Sequence, residues 1–291
     1  MNGILNINKS TGYSSFDVVR KVKKLAHTKK VGHTGTLDPE ASGVLPICIG
    51  KATKFADYIM KADKVYRTHL KLGVVTDTYD KEGSIVSTSE VISDEDEIIK
   101  TIKSYIGKSK QIPPMYSALK INGQRLYSLA RQGINVERKP RDIEIFSIDI
   151  LEINIPDVIF DVKCSKGTYI RSLCYDIGEK LSCGGAMWGL IRLSSGFFTI
   201  ENSVRLEDLT EDNISNYIIP VDDALWNYTS VNFDSKYESM LLNGVSVKDV
   251  LTSAGIVENT LYKVYINGIR FIGLGQAEKS GFKMVKQFIE E

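Results

Sequence analysis

The sequence predicts an α+β protein: a mixed, mostly antiparallel sheet flanked by helices, followed by a small C-terminal β-barrel domain. Through about residue 195, segments with alternating apolar residues are interleaved with segments of helical periodicity. From residue 231 onward, short strand-like segments are separated by glycine turns, which is typical of a small barrel. We therefore expect one domain at 1–225 and a second at 231–291, joined by an acidic connection.

Periodicity and capping residues define the individual elements. Apolar residues recur at helical spacing over 16–25, and either Ser14 or Ser15 can be the N-cap of that helix. Residues 64–75 alternate between apolar and polar, which predicts a half-buried strand with Tyr66 on its apolar face. The other expected elements are strands at 4–8, 43–50, 143–153, 158–164 and 187–194, one or two helical turns at 53–62, a helix from its N-cap Ser93 to Gly107, and a helix at 168–181.

Composition and motifs exclude several classes of protein. No run of eighteen apolar residues is present, so we expect no transmembrane helix, and we expect no secretory signal at the N-terminus. The four cysteines lack CxxC spacing and the three histidines are scattered, which predicts reduced thiols and no metal site. Motifs for nucleoside triphosphates, dinucleotides and serine hydrolases are absent. A cytoplasmic protein whose mechanism is based on a carboxylate fits what remains.

The net charge of +1 conceals an uneven distribution along the chain. Residues 1–67 contain twelve Lys or Arg and five Asp or Glu, and residues 107–141 contain eight and one. Residues 201–260 are acidic, with three basic and eleven acidic side chains. Two basic segments indicate a surface that binds a polyanion, although ordinary solvated lysines explain the charge equally well.

Segment 108–141 differs in character from its neighbours. It is basic, contains two adjacent prolines and interleaves Tyr116 and Tyr127 with positive charges. Long irregular segments of this kind are uncommon inside a compact core, so we expect an excursion from it. Its candidates for phosphate contacts are Lys108, Lys110, Arg125 and Arg131.

The stretch GHTGTLDPEASG, residues 32–43, places Asp38 in sequence rich in turn formers. Two interpretations stay open: Asp38 belongs to a tight turn, or a rigid loop holds it against a substrate as a nucleophile. A nucleophilic carboxylate must be ionised, and a nearby cation such as Arg171 would stabilise that form. Tyr66 is either a core residue or a ring that faces a flat substrate.

Several stretches, taken together, resemble the bacterial tRNA pseudouridine-55 synthase (TruB) family. They are GILNINKSTGYSSFDVVRKVKKL, KKVGHTGTLDPEASGVLPICIGKATKF, DKVYRTHLKLGVVTDTYDKEG, IPPMYSALKINGQRLYSLARQG and CSKGTYIRSLCYDIG, in the order of the family. The resemblance covers almost the whole chain and is loosest in the C-terminal tail. One difference is Ser10 after Lys9, where the family usually has Lys-Pro.

The resemblance implies a pseudouridine synthase fold with a C-terminal PUA-like RNA-binding domain. It implies isomerisation of uridine to pseudouridine in the T-arm loop of tRNA, by base flipping and without a cofactor. The family's functional positions fall on the catalytic residues Asp38, Tyr66 and Arg171, on His33 for base flipping, and on the pocket residues Tyr169 and Leu190. The basic segment 108–141 resembles the family's RNA-gripping insertion.

Two other functions are kept as alternatives. The chain is a related synthase that acts on another RNA, or a non-catalytic protein that binds or folds tRNA. The modest net charge and the built-in basic insertion favour a stand-alone enzyme. We therefore expect a monomer that binds the tRNA T stem-loop, with neither a membrane nor an obligate protein partner.

Overall fold

The computed structural model describes residues 1–92, 94–117, 119–121, 123–248 and 256–289. The strands are β1 (Gly3–Lys9), β2 (Val31–His33), β3 (Ser42–Ile49), β4 (Lys64–Leu72), β5 (Val74–Thr76), β6 (Ile85–Thr88), β7 (Gly107–Gln111), β8 (Lys120–Ile121), β9 (Gln124–Arg125), β10 (Arg141–Asn154), β11 (Asp157–Cys164), β12 (Gly185–Ser195), β13 (Phe198–Thr199), β14 (Val204–Arg205), β15 (Ser230–Phe233), β16 (Leu261–Ile266), β17 (Arg270–Glu278) and β18 (Gly281–Gln287). The α-helices are α1 (Ser15–Leu25), α2 (Ala56–Ile59), α3 (Glu95–Lys103), α4 (Leu126–Ala130), α5 (Ile170–Lys180), α6 (Val221–Ala224) and α7 (Glu238–Leu242). Short 3₁₀ helices occupy Gly50–Phe55, Leu206–Asp208, Ile214–Tyr217 and Ser235–Tyr237.

A ten-stranded sheet is the centre of the molecule. Its order is β14-β1-β3-β12-β4-β11-β10-β7, with β2 paired to β3 and β13 paired to β12. Strands β1 and β14 are parallel, as are β3 and β12, and the other pairs of this sheet are antiparallel. The predicted mixed, mostly antiparallel sheet is confirmed.

The first helix begins where its sequence provides both halves of a capping box. The Ser14 side chain accepts from the backbone N–H of Asp17, and the Asp17 carboxylate accepts from the backbone N–H of Ser14. Val18 and Val22 lie on its buried face. The helical spacing predicts Phe16 on that face as well, but its side chain is 59 % exposed, and the Arg20 and Lys23 cations lie 5.8 and 5.9 Å from its ring centre.

Helix α3 is capped by Asp94, whose side chain accepts from the backbone N–H of Glu97. The predicted N-cap Ser93 lies outside the described residues. Acidic residues occupy the first turn and Lys100 and Lys103 the last, an order that suits the helix dipole.

Two core clusters meet at the middle of the sheet. One lies between strands β4, β10, β11 and β12 and helices α3 and α5, and the other lies under α1 between β1 and β3. Tyr66 and Leu190 pack against both clusters while staying partly exposed. A third cluster joins this body to the C-terminal sheet through Leu274, Phe271 and Phe288.

The C-terminal sheet has the order β15-β16-β17-β18, with β15 and β16 parallel. Closure into the predicted barrel would need pairing between its outer strands, and among the described residues β15 and β18 are not paired with each other. An isolated bridge between Val247 and Phe282 extends the sheet at β18. The described part is therefore an open four-stranded sheet.

The basic segment 108–141 is only partly an excursion. Its first residues, including Lys108 and Lys110, belong to β7, the edge strand of the main sheet. They pair opposite Glu144 and Asp142 of β10, so opposite charges face each other along this edge. The segment leaves the sheet after Gln111 and returns at β10. Within the described residues, no helix is long and apolar enough to cross a membrane.

Candidate active site

Asp38 lies on a loop between β2 and β3 that the N-terminus of α1 holds in place. Ser15 Oγ donates to the carbonyl of Leu37 at 2.8 Å and accepts from the Leu37 N–H at 2.8 Å. The N–H of Gly12 donates to the Pro39 carbonyl at 2.9 Å, and the N–H of Ala41 donates to the carbonyl of Asp38 itself. The backbone on both sides of Asp38 is thus fixed by hydrogen bonds.

A buried lysine supports the same loop from below. Lys9 is completely buried, and its Nζ donates to the carbonyls of Ser10 at 3.0 Å, Tyr13 at 2.7 Å and Pro39 at 3.0 Å. All three ammonium protons are therefore used, which is what a buried charge requires. Burial lowers the pKa of Lys9 to about 8, against the opposing effect of Asp38.

A buried arginine supports the other end of the loop. Arg192 of β12 is 2 % exposed, and it donates to the carbonyls of Val44 at 2.6 Å, Gly35 at 3.2 Å and Thr36 at 3.4 Å. Gly43 makes this approach of β3 to β12 possible. A Cβ there would lie 2.3 Å from the Arg192 carbonyl oxygen, and its φ of +101° favours glycine.

The loop places Asp38 against the first turn of α5. Arg171 Nη2 lies 3.2 Å from Asp38 Oδ2, and Arg171 Nη1 lies 3.3 Å from Asp80 Oδ2. The Arg171 side chain is 9 % exposed and that of Asp80 13 %, whereas Asp38 keeps 40 % of its side chain in solvent. The guanidinium therefore bridges two carboxylates, of which only Asp38 is open to a substrate.

Backbone carbonyls and a local turn complete this ion network. Arg171 also donates to the carbonyl of Tyr116 at 2.7 Å and to that of Thr78 at 3.4 Å. Asp80 Oδ1 accepts from Thr78 Oγ1 at 2.6 Å and from the N–H of Glu82 at 3.1 Å. A buried guanidinium with these partners has little freedom to rotate, so the direction of its ion pair with Asp38 is fixed.

Tyr66 and Leu190 line the apolar side of the site. Tyr66 of β4 pairs in register with Arg192 of β12, and Leu190 lies two residues before Arg192 on the same strand. Burial is the main cause that raises the pKa of the Tyr66 hydroxyl, Arg192 opposes the rise, and the charge of Asp38 adds a smaller increase. The phenol is therefore neutral at physiological pH.

His33 and Tyr169 border the site from two further elements. Burial, then the charge of Arg192, lowers the pKa of His33, so its ring is neutral at pH 7. Its Nδ1 accepts from the N–H of Gly35 at 3.3 Å, which leaves the proton on Nε2. Tyr169 precedes α5 and exchanges two hydrogen bonds with the buried Gln111 side chain, at 2.8 and 3.0 Å.

The basic candidates lie apart from this site, on the surface of the insertion. Lys108, Lys110, Arg125 and Arg131 are all exposed. The guanidinium groups of Arg125 and Arg131 each lie 5.7 Å from the ring centre of Tyr127. A hydrogen bond from Arg125 is the main cause that lowers the pKa of Tyr127.

Sequence reasoning did not identify Lys9, Arg192 or Asp80 as members of the site. Lys9 and Asp80 lie inside stretches that resemble the family. The sequence feature that could have identified them is a polar residue next to turn-forming residues. Arg192 lies within the predicted strand 187–194 and carries no local signal. Among the described residues, no cluster of His, Cys, Asp and Glu could hold a metal ion.

A model of the "TruB family pseudouridylate synthase (N terminal domain)" matches residues 23–170, and one of the "tRNA pseudouridylate synthase B C-terminal domain" matches residues 171–226. The chain belongs to the TruB family. Among curated members, the tRNA pseudouridine synthase B of Clostridium kluyveri is 56 % identical over 99 % of this chain and 100 % of that protein. The one of Clostridium acetobutylicum is also 56 % identical, over 98 % and 99 %.

Solved structures extend the TruB likeness to the whole fold. A Cbf5-Nop10-Gar1 complex contains a chain that is 28 % identical, with a TM-score of 0.74 over 99 % of this chain and 84 % of that one. A structure titled as an H/ACA RNP bound to a substrate RNA containing 2'-deoxyuridine matches with a TM-score of 0.75 and 26 % identity, over 99 % and 85 %. The pseudouridine synthase fold expected from the sequence is confirmed.

Asp80→Asn should slow the reaction without weakening RNA binding. The neutral amide cannot balance the charge of Arg171, so the guanidinium loses one of the two ion pairs that orient it. The loss of a charge-assisted hydrogen bond is worth about 1.5–3 kcal/mol, so we expect a fall of about 10- to 100-fold in single-turnover rate. Asp142→Asn on the β10 edge is the control and should react at the normal rate. An unchanged rate for Asp80→Asn would contradict a role for this ion pair.

Lys9→Met should destabilise the protein, and the loss should grow with pH. The carbonyls of Ser10 and Tyr13 lose the donor that Lys9 provides, whereas that of Pro39 keeps the Gly12 N–H, and unsatisfied groups cost about 1–3 kcal/mol. The pKa of Lys9 is about 8 in the folded chain, whereas its ordinary value, which applies to the unfolded chain, is 10.5. Between these two pH values the unfolded chain therefore binds more protons than the folded chain. Stability contributed by wild-type Lys9 therefore rises from pH 8 to pH 10.5.

Urea unfolding of wild type and Lys9→Met at pH 7, 8, 9 and 10 measures this difference directly. Lys24→Met, at an exposed lysine of α1, is the matched control and should change stability by no more than about 0.5 kcal/mol. A gap between wild type and Lys9→Met that narrows as pH rises would contradict the assignment.

Proposed function

We propose that this chain isomerises uridine to pseudouridine at position 55 of tRNA, in the T-arm loop, with Asp38 as the catalytic group. The observation that carries the proposal is the partly exposed Asp38 carboxylate, fixed by its loop and paired with the buried Arg171. The relatives named tRNA pseudouridine synthase B support tRNA as the substrate, since they are similar over their whole length.

The reaction rearranges one nucleotide and conserves its atoms. The bond between N1 of the base and C1′ of the ribose breaks, the uracil turns, and C5 of the base bonds to C1′. The proton on C5 then leaves and N1 gains one. An ionised carboxylate at Asp38 can stabilise or trap the electron-poor intermediate, as carboxylates do at the sugar carbon in glycoside hydrolysis. Attack at C1′, attack at C6 and a glycal route are all compatible with this geometry.

The uridine must leave its stack before Asp38 can reach it. Extrusion costs a few kcal/mol, which contacts in the pocket must offset. Tyr66 and Leu190 offer an apolar surface for the flipped base, and Tyr169 borders the same space. His33, neutral and with its proton on Nε2, can take the place of a lost stacking or hydrogen-bonding partner.

The final proton transfer needs an acceptor near C5. In this proposal Tyr66 lies beside the base, but a phenol with a raised pKa has too little phenolate at neutral pH to accept that proton readily. A water held by the Tyr66 hydroxyl is therefore the better acceptor, and the hydroxyl acts as a donor that positions it.

Phosphate contacts come from the basic insertion in this proposal. Lys108 and Lys110 on β7, with Arg125 and Arg131 beyond it, present exposed cations on the segment that also supplies the Tyr116 carbonyl to Arg171. The four-stranded sheet after residue 230 would be the PUA-like RNA-binding domain. The enzyme would act in the cytoplasm as a monomer, without a cofactor or protein partner.

Asp38→Asn should abolish turnover and leave tRNA binding almost unchanged. The amide keeps the shape of the side chain but is neither nucleophile nor anion. Tritium release from C5-labelled tRNA transcript measures turnover, and filter binding measures affinity. Asp57→Asn, at an exposed position of α2, is the control and should behave as wild type. Release of tritium by Asp38→Asn would overturn the catalytic assignment, and absence of pseudouridine from the wild-type reaction would overturn the proposed function.

Removal of charge from the insertion should weaken tRNA binding and reduce its salt dependence. Each lost phosphate contact lowers the slope of log affinity against log salt by about one. We expect this for Arg125→Gln with Arg131→Gln, and separately for Lys108→Gln with Lys110→Gln. The control pair, Lys100→Gln with Lys103→Gln on α3, should keep the wild-type slope. Equal slopes for all pairs would place the RNA surface elsewhere.

A further inference from the structure

The turn that carries Asp80 contains an unusual backbone conformation. Tyr79, the residue before Asp80, has a φ of 64°. This left-handed region is unfavourable for a bulky side chain and is adopted mainly by Gly, Asn and Asp. Such a conformation persists only where surrounding contacts enforce it, and it is found most often at functional sites.

An aromatic stack provides one of these contacts. The ring of Tyr79 lies 4.1 Å from that of Tyr175, centre to centre, with 21° between their planes. Tyr175 is on α5, four residues after Arg171, so both side chains lie on the same face of the helix, one turn apart. The helix that presents Arg171 to Asp80 therefore also holds the neighbour of Asp80.

Strand β12 holds the same turn by backbone hydrogen bonds. The Met187 N–H donates to the Tyr79 carbonyl at 3.0 Å, and the Lys81 N–H donates to the Met187 carbonyl at 3.0 Å. Asp80 is thus flanked by two anchored residues. Inside the turn, a Cβ at Gly83 would lie 2.3 Å from Thr78 Oγ1, so the hydroxyl that binds Asp80 is closely packed.

We infer that Tyr79 and Tyr175 form a positioning pair, which keeps Asp80 on Arg171 and thereby keeps Arg171 directed at Asp38. The inference rests on the proposed function of Asp38. The backbone bonds to β12 hold the turn against the sheet, and Arg171 itself donates to the Thr78 carbonyl at the start of the turn. The stack adds a further link between the turn and α5, one helical turn beyond the arginine.

The stack acts through Asp80 and not on the RNA. Tyr175 is on the second turn of α5 and is half-buried, one turn beyond Arg171, whose own side chain is almost buried. The open carboxylate of the network is Asp38, on the opposite side of the guanidinium from Asp80. Loss of the stack should therefore affect the rate of the chemical step and leave the affinity for tRNA unchanged.

Tyr175→Ala tests the inference in single-turnover assays at saturating tRNA. We expect the rate to fall about 5- to 20-fold and the Kd for tRNA to stay within twofold, because one ring of the stack is lost. Tyr175→Phe keeps the stack and should react at the wild-type rate. In the Asp80→Asn background, Tyr175→Ala should reduce the rate by less than twofold, since the group that it positions is already absent.

The backbone conformation is tested at Tyr79. Tyr79→Gly permits the left-handed φ but removes the ring, and Tyr79→Val removes the ring and opposes the conformation. We expect Tyr79→Gly to lose rate like Tyr175→Ala, and Tyr79→Val to lose at least threefold more. Similar rates for the two variants would contradict the role of the backbone conformation.

Tyr105→Ala is the control for general destabilisation of α5. Tyr105 packs against the core beside this helix and donates its hydroxyl to the Asp176 carbonyl at 2.7 Å. Thermal unfolding should show a loss of stability for Tyr105→Ala at least as large as for Tyr175→Ala, with a normal rate of reaction. An equal loss of rate in Tyr105→Ala would show that the stack contributes no more than ordinary packing beside α5, which would overturn the inference.

Two further outcomes would also overturn it. A raised Kd with an unchanged rate in Tyr175→Ala would make the stack an RNA contact. A full loss of rate for Tyr175→Ala in the Asp80→Asn background would show that the two act independently. Failure of the proposed function is distinct from all of these, since wild-type protein would then form no pseudouridine in the same assay.

Discussion

The guanidinium of Arg171 is the group on which the site depends. A buried positive charge is costly unless it is paired and hydrogen-bonded, and here two carboxylates and two backbone carbonyls surround it. Three separate segments of the chain therefore come together around this guanidinium: the loop of Asp38, the turn of Asp80 and the insertion at Tyr116. The same requirement leaves one carboxylate, Asp38, at the surface.

Buried cations also hold the Asp38 loop. Lys9 and Arg192 donate to backbone carbonyls on opposite sides of Asp38. If water or apolar side chains surrounded these carbonyls instead, the loop would be able to move. Neither cation has a carboxylate within salt-bridge distance among the described residues. Their charges favour an anion at the mouth of the site, which suits both an ionised Asp38 and a substrate rich in phosphates.

The apolar and polar halves of the site have different origins in the fold. Tyr66 and Leu190 lie on adjacent central strands where two core clusters meet, so the sheet itself positions this apolar surface. The ion network comes from loops and a helix start above that surface. Strands beneath and hydrogen-bonded loops above therefore both fix the geometry of this site.

The sequence by itself determined most of the longer strands and helices and the family, and it proposed Asp38, Tyr66 and Arg171 as site residues, because periodicity, capping and long motifs are local properties. It gave no sign that Lys9, Asp80 and Arg192 would converge, that Phe16 would face solvent, or that Lys108 and Lys110 would extend the main sheet. Those features follow from which strands become neighbours and which side chains lose water. Only the tertiary structure decides this, since residues as far apart in the chain as Gly35 and Arg192, 157 positions, share one hydrogen bond.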